Sequence, residues 1–429
     1  MVSLLWGLKA FAAEGYEIRA DRMETIREGE EFRRTYSGDV KAELDSVSIR
    51  SERATVTGEE VLFSRRAEAV ERSRKILADT LIFSLRGQTV VAAGAAVVSE
   101  ADRWLRASRV TLSRSSARVQ AMGRAEVCYP EQNLILWADS LEIGPAGAEG
   151  TARGEPRITR LGSDTLAMSA GLVRFADEGA ILIGEGWVKV SIGRFAGRCD
   201  RAVCAPDSIR LEGSPVLRSL RYRPDGRDSS QVRAEWVRIG LEGGRAQRIT
   251  ASGGADVQQD SYDARGGLSS RSNLKGDTVQ VDIREGEMSR AVSCGSSNSL
   301  HRGADSSGVD LKAETIEVLF KGGRVSQVEG KGKVRAFHSS GDDSEHTRLE
   351  GDRLLMALSG DHLESLLLEG AAICEYAPTG SAKGRRGWKN RLSGDRIRLA
   401  VRGGSLRTAA VEGGAVGSYW MTDEEREGR

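Results

Sequence analysis

Histidine and carboxylate side chains in one short stretch offer a possible metal-binding chemistry. His338 and His346 flank Asp342, Asp343 and Glu345, and imidazole nitrogens with carboxylate oxygens are ligands that divalent metals accept. The stretch is rich in Ser, Gly and Asp, and its ligands lack the spacing of known metal motifs. We therefore expect a solvated loop here and no metal site.

Acidic residues recur along the chain, and two carboxylates that meet across a cleft can hydrolyse a glycosidic bond. The recurring acids are Asp21, Glu52, Asp79, Asp139, Glu235, Asp277, Glu314, Asp352 and Asp395. A catalytic pair belongs to one place in a protein, whereas repeated acids favour a structural or solubilising role. The chain also has no nucleophile elbow, Walker loop or dinucleotide fingerprint. We predict that the protein is not an enzyme and uses no cofactor.

Five cysteines show no metal-ligand spacing. Cys199 and Cys204 are close enough in sequence for a local disulfide after export, and two buried thiols are equally compatible with their positions. The other three, Cys128, Cys294 and Cys374, lie in strand-like segments and are expected to pack as small hydrophobic residues.

Composition excludes some classes of protein. The 429 residues include 63 Lys and Arg against 62 Asp and Glu, a balance that disfavours a dedicated nucleic-acid binder. Aromatic residues make up only 5%, while there are 51 glycines, which favours many thin cores over one thick core. The longest apolar run, from Val90 to Val98, is about half the length of a membrane-spanning helix.

One apolar pattern recurs along the whole chain: a hydrophobic residue followed by small or apolar residues at +2, +5 and +7. Its twelve copies start at Ile18, Ile49, Ile76, Leu105, Leu136, Met168, Phe195, Val232, Leu274, Leu311, Leu349 and Leu392, the copy at Phe195 being degenerate. A fixed motif in so many copies indicates a repeat architecture. The recurring acids occupy the +3 position of nine copies.

The spacing predicts a bent strand. Steps of two are the period of a strand with one buried face, and the single step of three reverses that alternation. Both halves can face one interior only if the strand bulges or bends between them. Each strand should therefore follow one wall, turn a corner beside the small +2 residue, and follow a second wall, with the +3 acid pointing outward.

Gly-rich turns, such as Gly322-Gly323 and Gly403-Gly404, separate the motif strands from return strands. Return strands contain steps of three, from Val325 to Val328 and from Leu406 to Ala409, which predict that they bend as well. Consecutive bent hairpins would then stack antiparallel into an elongated, V-shaped, all-β jellyroll of about twelve repeats. Polar, turn-rich stretches that follow the return strands are predicted to be inserted loops at one edge: Arg223 to Gln231, Gln258 to Asn273, Ser296 to Gly308, His338 to Arg348 and Ala377 to Arg391.

Five segments follow from these patterns. Residues 1–13 are apolar and end in Ala10-Phe11-Ala12, a small-x-small cleavage pattern that favours a signal peptide or its remnant over a first buried strand. Divergent repeats are predicted over 14–75, regular repeats over 76–220, repeats with longer loops over 221–418, and a charged tail over 419–429. The leader predicts export to an extracytoplasmic, periplasmic compartment.

The repeat resembles that of the OstA-like family, which comprises LptA, the periplasmic part of LptC and the N-terminal domain of LptD. The resemblance rests on an x-Ala/Gly-Asp-x-φ-x-φ strand, plainest from Leu274 to Val281 and from Leu392 to Leu399, followed by a φ-x-x-φ-x-x-x-Gly-x-φ strand. It extends from about Ile18 to Gly417. It implies a β-jellyroll whose hydrophobic groove carries lipopolysaccharide, or a related glycolipid, between the inner and outer membranes.

The resemblance also implies partners that join edge to edge by strand addition: LptC-like and LptD-like proteins, or a second copy of the chain. The candidate lipid contacts are +5 and +7 residues of the clearest repeats: Val279, Val281, Ile316, Val318, Leu354, Met356, Ile397 and Leu399. The alternative is an extracytoplasmic β-solenoid scaffold or surface protein with a closed, dry core. A β-helical polysaccharide-active enzyme is disfavoured by the repeat spacing of 27 to 43 residues.

Overall fold

A computed structural model describes residues 16–29, 31–44, 46–84, 89–303, 307–340, 345–359, 362–378, 387–402 and 405–422. The predicted leader (1–13), the Gly403-Gly404 turn, the carboxylates of Asp342 and Asp343, and tail residues 423–429 lie outside this part of the chain. The chain divides into two compact units. Unit 1 comprises 1–191 and 200–206, and unit 2 comprises 192–199 and 207–429. The repeat-based segments 14–75, 76–220 and 221–418 stay predictions.

The described residues form β-strands joined by short turns. The first fifteen strands are β1 (Tyr16–Arg19), β2 (Arg22–Glu28), β3 (Glu31–Leu44), β4 (Val47–Thr57), β5 (Glu60–Glu71), β6 (Arg74–Ser84), β7 (Thr89–Glu100), β8 (Arg103–Ser113), β9 (Arg118–Tyr129), β10 (Leu134–Ile143), β11 (Gly150–Arg153), β12 (Arg157–Arg160), β13 (Leu166–Ser169), β14 (Leu172–Ala176) and β15 (Ile181–Ile192). Three single turns of 3-10 helix, Pro130–Gln132, Pro145–Gly147 and Asp177–Gly179, lie between strands of this half.

Fifteen further strands follow. They are β16 (Phe195–Cys204), β17 (Ser208–Glu212), β18 (Val216–Arg223), β19 (Gly226–Arg233), β20 (Trp236–Glu242), β21 (Arg245–Asp263), β22 (Leu268–Arg284), β23 (Glu287–Gly303), β24 (Gly308–Lys321), β25 (Arg324–Ser339), β26 (Glu345–Ser359), β27 (His362–Pro378), β28 (Gly387–Arg402), β29 (Ser405–Glu412) and β30 (Val416–Thr422). Within the described residues, no helix is long and apolar enough to cross a membrane.

Long strands pair antiparallel with their neighbours in sequence, as β21, β22, β23 and β24 do in turn. Where a bend interrupts the hydrogen bonding, one bent strand is divided into two labelled strands. Thus β20 and β19 pair with the first and second halves of β21. The predicted all-β fold, a series of antiparallel hairpins, is confirmed.

Burial along β22 reproduces the predicted reversal of parity. Leu274 is buried on one side of the bend, and Val279 and Val281 are buried on the other side, so the inward positions change from even to odd numbers. The register with β23 shifts between Lys275 and Thr278. The step of three therefore marks a corner, as predicted, and both halves of the strand face one interior.

Each corner is completed by two consecutive residues with positive φ on the return strand. The described residues contain twelve such pairs, which begin at Gly38, Arg65, Gly94, Gly123, Gly154, Gly186, Gly213, Gly253, Gly295, Gly332, Gly370 and Gly413. Two left-handed residues turn the chain sharply, and the first is glycine in all pairs but Arg65-Arg66 because glycine has no Cβ to clash. The return strands bend as predicted, but at these pairs rather than at the steps of three.

The +3 acid of the motif strand lies against the first corner glycine of the next strand. A Cβ added to Gly295 would overlap the carboxylate of Asp277, and Gly370 stands in the same relation to Asp352. The carboxylates themselves are exposed, so the predicted outward orientation is confirmed. The repeated acids are parts of a corner, which explains why they recur.

Three local features differ from the sequence prediction. The seventh copy begins at Gly197, not Phe195, because Cys199, Ala202 and Cys204 are its buried +2, +5 and +7 residues. The step from Val325 to Val328 is a bulge next to a hairpin turn, where the register shifts between Leu319 and Phe320. A similar shift accompanies the step from Leu406 to Ala409.

The polar stretches predicted to be inserted loops are largely strand. Within 258–273, for example, β21 continues to Asp263 and β22 begins at Leu268. The two strands pair with each other from Tyr262 and Leu268 onward, away from the turn that joins them. The prediction was wrong because polarity was taken as a sign of a loop. Here it belongs to long strands whose inward face is itself polar, as described below.

The corner contact predicts a specific cost for a side chain at Gly295. Gly295→Ala should destabilise the protein by about 2–4 kcal/mol, the sum of left-handed strain and the clash with Asp277. The matched control is Gly322→Ala, at a hairpin turn with positive φ and no heavy atom within 4 Å of an added Cβ, which should cost only about 1 kcal/mol. Urea unfolding followed by circular dichroism measures both, and equal costs would contradict a role for the acid–glycine contact.

Candidate functional site

The corner divides every bent hairpin into two arms, and the arms of successive hairpins form two walls in each unit. We call the wall that carries the 0 and +2 positions of the motif the 0/+2 wall, and the opposite one the +5/+7 wall. Apolar side chains on the inner faces of the two walls form the core. The interior between the walls is the candidate site.

All eight predicted lipid contacts lie on the +5/+7 wall of unit 2. Their exposed fractions are 0–5%, the highest value being that of Val318. They point into the interior between the walls, and their side chains pack against protein atoms. Their contact with a lipid stays a prediction.

The +5/+7 wall is apolar in both units. In unit 1 its inner residues include Phe63, Leu81 and Val110, and in unit 2 they include Val279 and Leu354, all 0% exposed. Burying apolar surface contributes about 25 cal/mol per Å² to the free energy of folding. Each repeat buries part of the inner face of the next repeat. This wall supplies a continuous hydrophobic surface along each unit.

The 0/+2 wall differs between the units. In unit 1 it is apolar near the corner, with residues such as Ile49, Leu136 and Ile158 fully buried. In unit 2 the positions farther from the corner are polar but still buried. We call them the polar track: Asp228, Gln259, Ser261, Ser270, Ser299, His301, His338, Ser340 and Thr347, each between 2% and 8% exposed.

The polar track was missed at the sequence level, although a signal for it exists. Ser270 lies an even number of residues before the motif residue Leu274, and Ser299 and His301 continue the alternation from buried Ser297. Period-two alternation beyond the motif therefore extends the inward face into the polar stretches. Beside the track, the half-buried Ser272 has its Oγ hydrogen-bonded to His301 Nδ1 at 2.9 Å.

A small pocket lies between the polar track and the apolar wall of unit 2. Its lining includes Gln259, Ser299 and His301 from the 0/+2 wall, together with Val318 and Phe320 from the +5/+7 wall. Its volume is about 20 Å³, room for roughly one water molecule. One predicted lipid contact, Val318, therefore borders a space that protein atoms leave unfilled.

Polar contacts join the ends of the two walls of unit 2, opposite the corner. Arg221 Nη2 lies 2.8 Å from Glu287 Oε1, and Arg324 Nη2 lies 2.7 Å from Asp225 Oδ2. Gln259 Nε2 also donates a hydrogen bond of 2.5 Å to the carbonyl oxygen of Gly323 in a hairpin turn. We call this line of contacts the mouth, because it closes the interior on its open side.

Unit 1 closes its walls with the same kind of contact. Arg103 Nη2 lies 2.7 Å from Glu178 Oε2, and Arg160 Nη2 donates to the carbonyl oxygens of Gly179 and Ala180 at 2.6 and 2.9 Å. Arginine suits this place because its long apolar stem stays against the core while the guanidinium reaches the rim.

The most buried carboxylate at the mouth of unit 2 belongs to Asp228, which is 4% exposed. Burial raises the pKa of this carboxyl above its ordinary value, because a charged group loses hydration in the interior. Arg223 opposes the shift, with its Nη2 3.0 Å from Asp228 Oδ1. The mouth therefore contains a group whose protonation is linked to folding.

The other candidate chemistry does not assemble into a site. His338 belongs to the polar track, and the ring of His346 stacks on Phe337 with centroids 5.2 Å apart. In the part of the chain that is described, no group of three or more His, Cys, Asp or Glu could hold a metal ion.

Cys199 and Cys204 are both buried on β16, and the structure contains no disulfide between them. Five residues of extended strand separate two Cα atoms by up to about 16 Å, whereas a disulfide needs roughly 4.4–6.8 Å. The two residues also occupy the +2 and +7 positions, on opposite sides of the corner. Of the two alternatives left open by the sequence, the strand geometry favours buried thiols over a disulfide.

Comparisons with known proteins give a partial similarity to solved structures. No family model and no curated protein matches this chain. Among solved structures, it is similar to LptH of Pseudomonas aeruginosa, the LptA-homologous periplasmic component of that organism's lipopolysaccharide transport device. The match covers 27% of this chain and 94% of LptH, with 16% sequence identity and a TM-score of 0.25.

Asp228 gives a prediction about pH. Because its folded pKa is raised, its contribution to stability is fully present below the unfolded pKa, near 4, and is lost as pH rises through the folded pKa. Asp228→Asn stays neutral and should lack this dependence. Between about pH 4 and 7, the urea midpoint of the natural protein should therefore fall relative to that of the variant. Parallel profiles for the two proteins would contradict the assignment.

Proposed function

We propose that the protein is a non-enzymatic, periplasmic lipid-binding bridge that carries lipopolysaccharide or a related glycolipid between the inner and outer membranes. The observation that carries the proposal is the continuous apolar inner face of the +5/+7 wall, repeated from hairpin to hairpin. Removing an acyl chain from water is worth about 0.8 kcal/mol per buried CH₂, so an apolar inner face of this length can hold a lipid by its chains once the two walls separate.

The repeated motif supports the same proposal, because its plainest copies, from Leu274 and from Leu392, are those that resemble the OstA-like family. Lipid entry requires the walls to separate at the mouth. Two of the ion pairs there, Arg221–Glu287 and Arg324–Asp225, are partly exposed, and such pairs contribute little to stability. A third pair, Arg223–Asp228, is buried, so separating it is the main polar cost of opening the mouth.

A closed scaffold with a dry core is the second candidate. The observation that favours it is the burial of the predicted lipid contacts, since Val279 and Leu354 are both 0% exposed. A filled core is the ordinary state of a repeat protein, in which each repeat covers its neighbour. The two candidates differ in whether lipid ever replaces those core contacts.

Photo-crosslinking in a Gram-negative host separates the two functions. A photoreactive residue at Val279 or Val318, both inward, should form adducts with lipopolysaccharide, whereas the outward neighbours Gln280 and Glu317 should not. Val318 borders the pocket, so a probe there tests the proposal even if the change at Val279 disturbs folding. Well-folded variants that yield no adduct at either inward position would favour the dry scaffold, and adducts only at the outward positions would contradict the groove.

The last strand supports the proposed edge-to-edge partners, LptC-like and LptD-like proteins or a second copy. Strand β30 pairs with β28, and its Val416, Tyr419 and Trp420 are 49–59% exposed. An apolar terminal strand invites pairing with another chain.

Charges on β30 should block that pairing. The double variant Val416→Lys and Tyr419→Lys should lower association with such a partner by at least about tenfold, because charged edge strands resist strand addition. Light scattering measures self-association, and affinity capture measures binding of an LptC-like domain. The matched variant, Glu24→Lys with Thr25→Lys, places the same charges on exposed positions of β2, the other end of the described sheet. Comparing the two variants shows at which end each partner binds. Unchanged association of both variants would contradict strand addition at these ends.

A further inference from the structure

We propose that two copies of the protein pack face to face through the outer surface of unit 1. The surface is the outer face of the 0/+2 wall across strands β5 to β10, β12 and β13. It is a face of the sheet, so this contact is separate from strand addition at the terminal edges. It does not depend on lipid binding.

The composition of this outer face is the first support. Positions −1 and +1 of the motif alternate with the inward 0 and +2 positions and therefore point outward. In the copies that start at Ile76, Leu105, Leu136 and Met168 they are Lys75, Leu77, Trp104, Arg106, Ile135, Trp137, Ala167 and Ser169. In the copies that start at Leu274, Leu311, Leu349 and Leu392 they are Asn273, Lys275, Asp310, Lys312, Arg348, Glu350, Arg391 and Ser393. Five of the eight are apolar in unit 1 and none in unit 2, so an apolar outer face is not needed to build this wall.

Strand register arranges the outward residues in two rows across the sheet. The row through the +1 positions is Glu68, Leu77, Val97, Arg106, Glu126, Trp137, Arg157 and Ser169. The row through the −1 positions is Val70, Lys75, Ser99, Trp104, Cys128, Ile135, Thr159 and Ala167. We call these sixteen residues the outer patch.

Hydrophobic side chains in the outer patch are open to solvent. Val70, Leu77 and Trp137 are 37–39% exposed, and they lie on one surface with the half-buried Trp104 and Ile135. Apolar side chains that cluster on an exposed surface mark an interaction site. Tryptophan is also enriched at the centres of protein–protein interfaces.

The charges of the outer patch indicate which partner fits it. The patch carries Lys75, Arg106 and Arg157 together with Glu68 and Glu126, so both signs are interspersed with the apolar residues. The two glutamates would face the negative head groups of an anionic bilayer, which is unfavourable. A surface with both signs can instead complement a second copy of itself.

Two-fold symmetry makes the outer patch self-complementary. An axis in the contact plane and parallel to the strands reverses the strand order in the facing copy, so each row faces the same row of the partner. With the axis between β8 and β9, Arg106 of each copy faces the partner's Glu126, and Val97 faces the partner's Trp137. An axis along β8 would set Arg106 against the partner's Arg106, and one along β9 would set Glu126 against the partner's Glu126. The charges therefore select the axis between the two strands.

The size of the outer patch sets the expected affinity. Eight strands at about 4.8 Å spacing extend over about 34 Å, and two rows with their side chains are roughly 15 Å high. The contact would bury roughly 500 Å² on each copy, below the roughly 800 Å² of a standard stable interface. We therefore expect a dimer with a dissociation constant in the micromolar range.

Sedimentation velocity of the full protein tests the proposal at about 1–100 µM. All proteins carry Val416→Lys and Tyr419→Lys, so the terminal edge of β30 does not contribute. Arg106→Glu and Glu126→Arg each place like charges across the interface, and each alone should weaken dimerisation at least about tenfold. An equimolar mixture of the two should form the mixed dimer, because every facing pair then has opposite charges. Lys312→Glu, at an exposed +1 position of unit 2, is the matched control and should dimerise as before.

Leu77→Lys provides a second variant that leaves the charge pair intact. It places a lysine opposite the partner's Arg157 and should also lower dimerisation. A protein that stays monomeric over the whole range overturns the proposal, and so does unchanged dimerisation of these variants.

The remaining outcomes concern the axis and the partner. Two single variants that are monomeric alone and stay monomeric when mixed contradict the two-fold arrangement. A monomer that co-sediments with phosphatidylglycerol vesicles, and loses that binding in Leu77→Lys, would identify a bilayer as the partner and overturn the dimer. Circular dichroism and the urea midpoint confirm that each variant is folded.

Discussion

Each long bent strand of this protein has to turn a corner without exposing the apolar side chains on either of its halves. Alternation along a straight strand would bury one half and expose the other after a step of three. The structure solves this with two left-handed residues on the return strand, set against a polar side chain on the motif strand, as at Gly295 and Asp277. The two walls and their interior all depend on that local arrangement.

Once the corner is fixed, the length of the arms decides what kind of interior results. In unit 1 the inner positions are mostly apolar, with Ser51 and Arg74 as buried exceptions, so the two walls meet in a hydrophobic core with an arginine-lined rim. In unit 2 the 0/+2 arms are longer, and their additional inward positions are polar. The interior of unit 2 is therefore amphipathic, with a pocket where Gln259 and Val318 lie on opposite sides.

The repeat made most of the fold predictable. Buried Leu274, Val279 and Val281 follow the predicted parity, because alternation and its reversal are local properties of the chain. The copy at Phe195 was placed two residues early, since apolar Phe195 is also buried and only the burial of Cys199, Ala202 and Cys204 identifies Gly197 as the start. The polar track was assigned to loops for a related reason: polar residues in a strand and in a loop look alike until their partners are known.

The sequence by itself determined the β-architecture, the corners, the outward acids and the inward apolar positions, because each depends on residues within one strand and its neighbour. The tertiary structure alone decided which polar residues are buried, where the pocket lies and how the mouth closes. Those features join residues far apart in the chain: Gln259 and Gly323 are 64 positions apart, and Asp225 and Arg324 are 99 apart. No local pattern encodes such contacts, since they arise only when the two walls pack against each other.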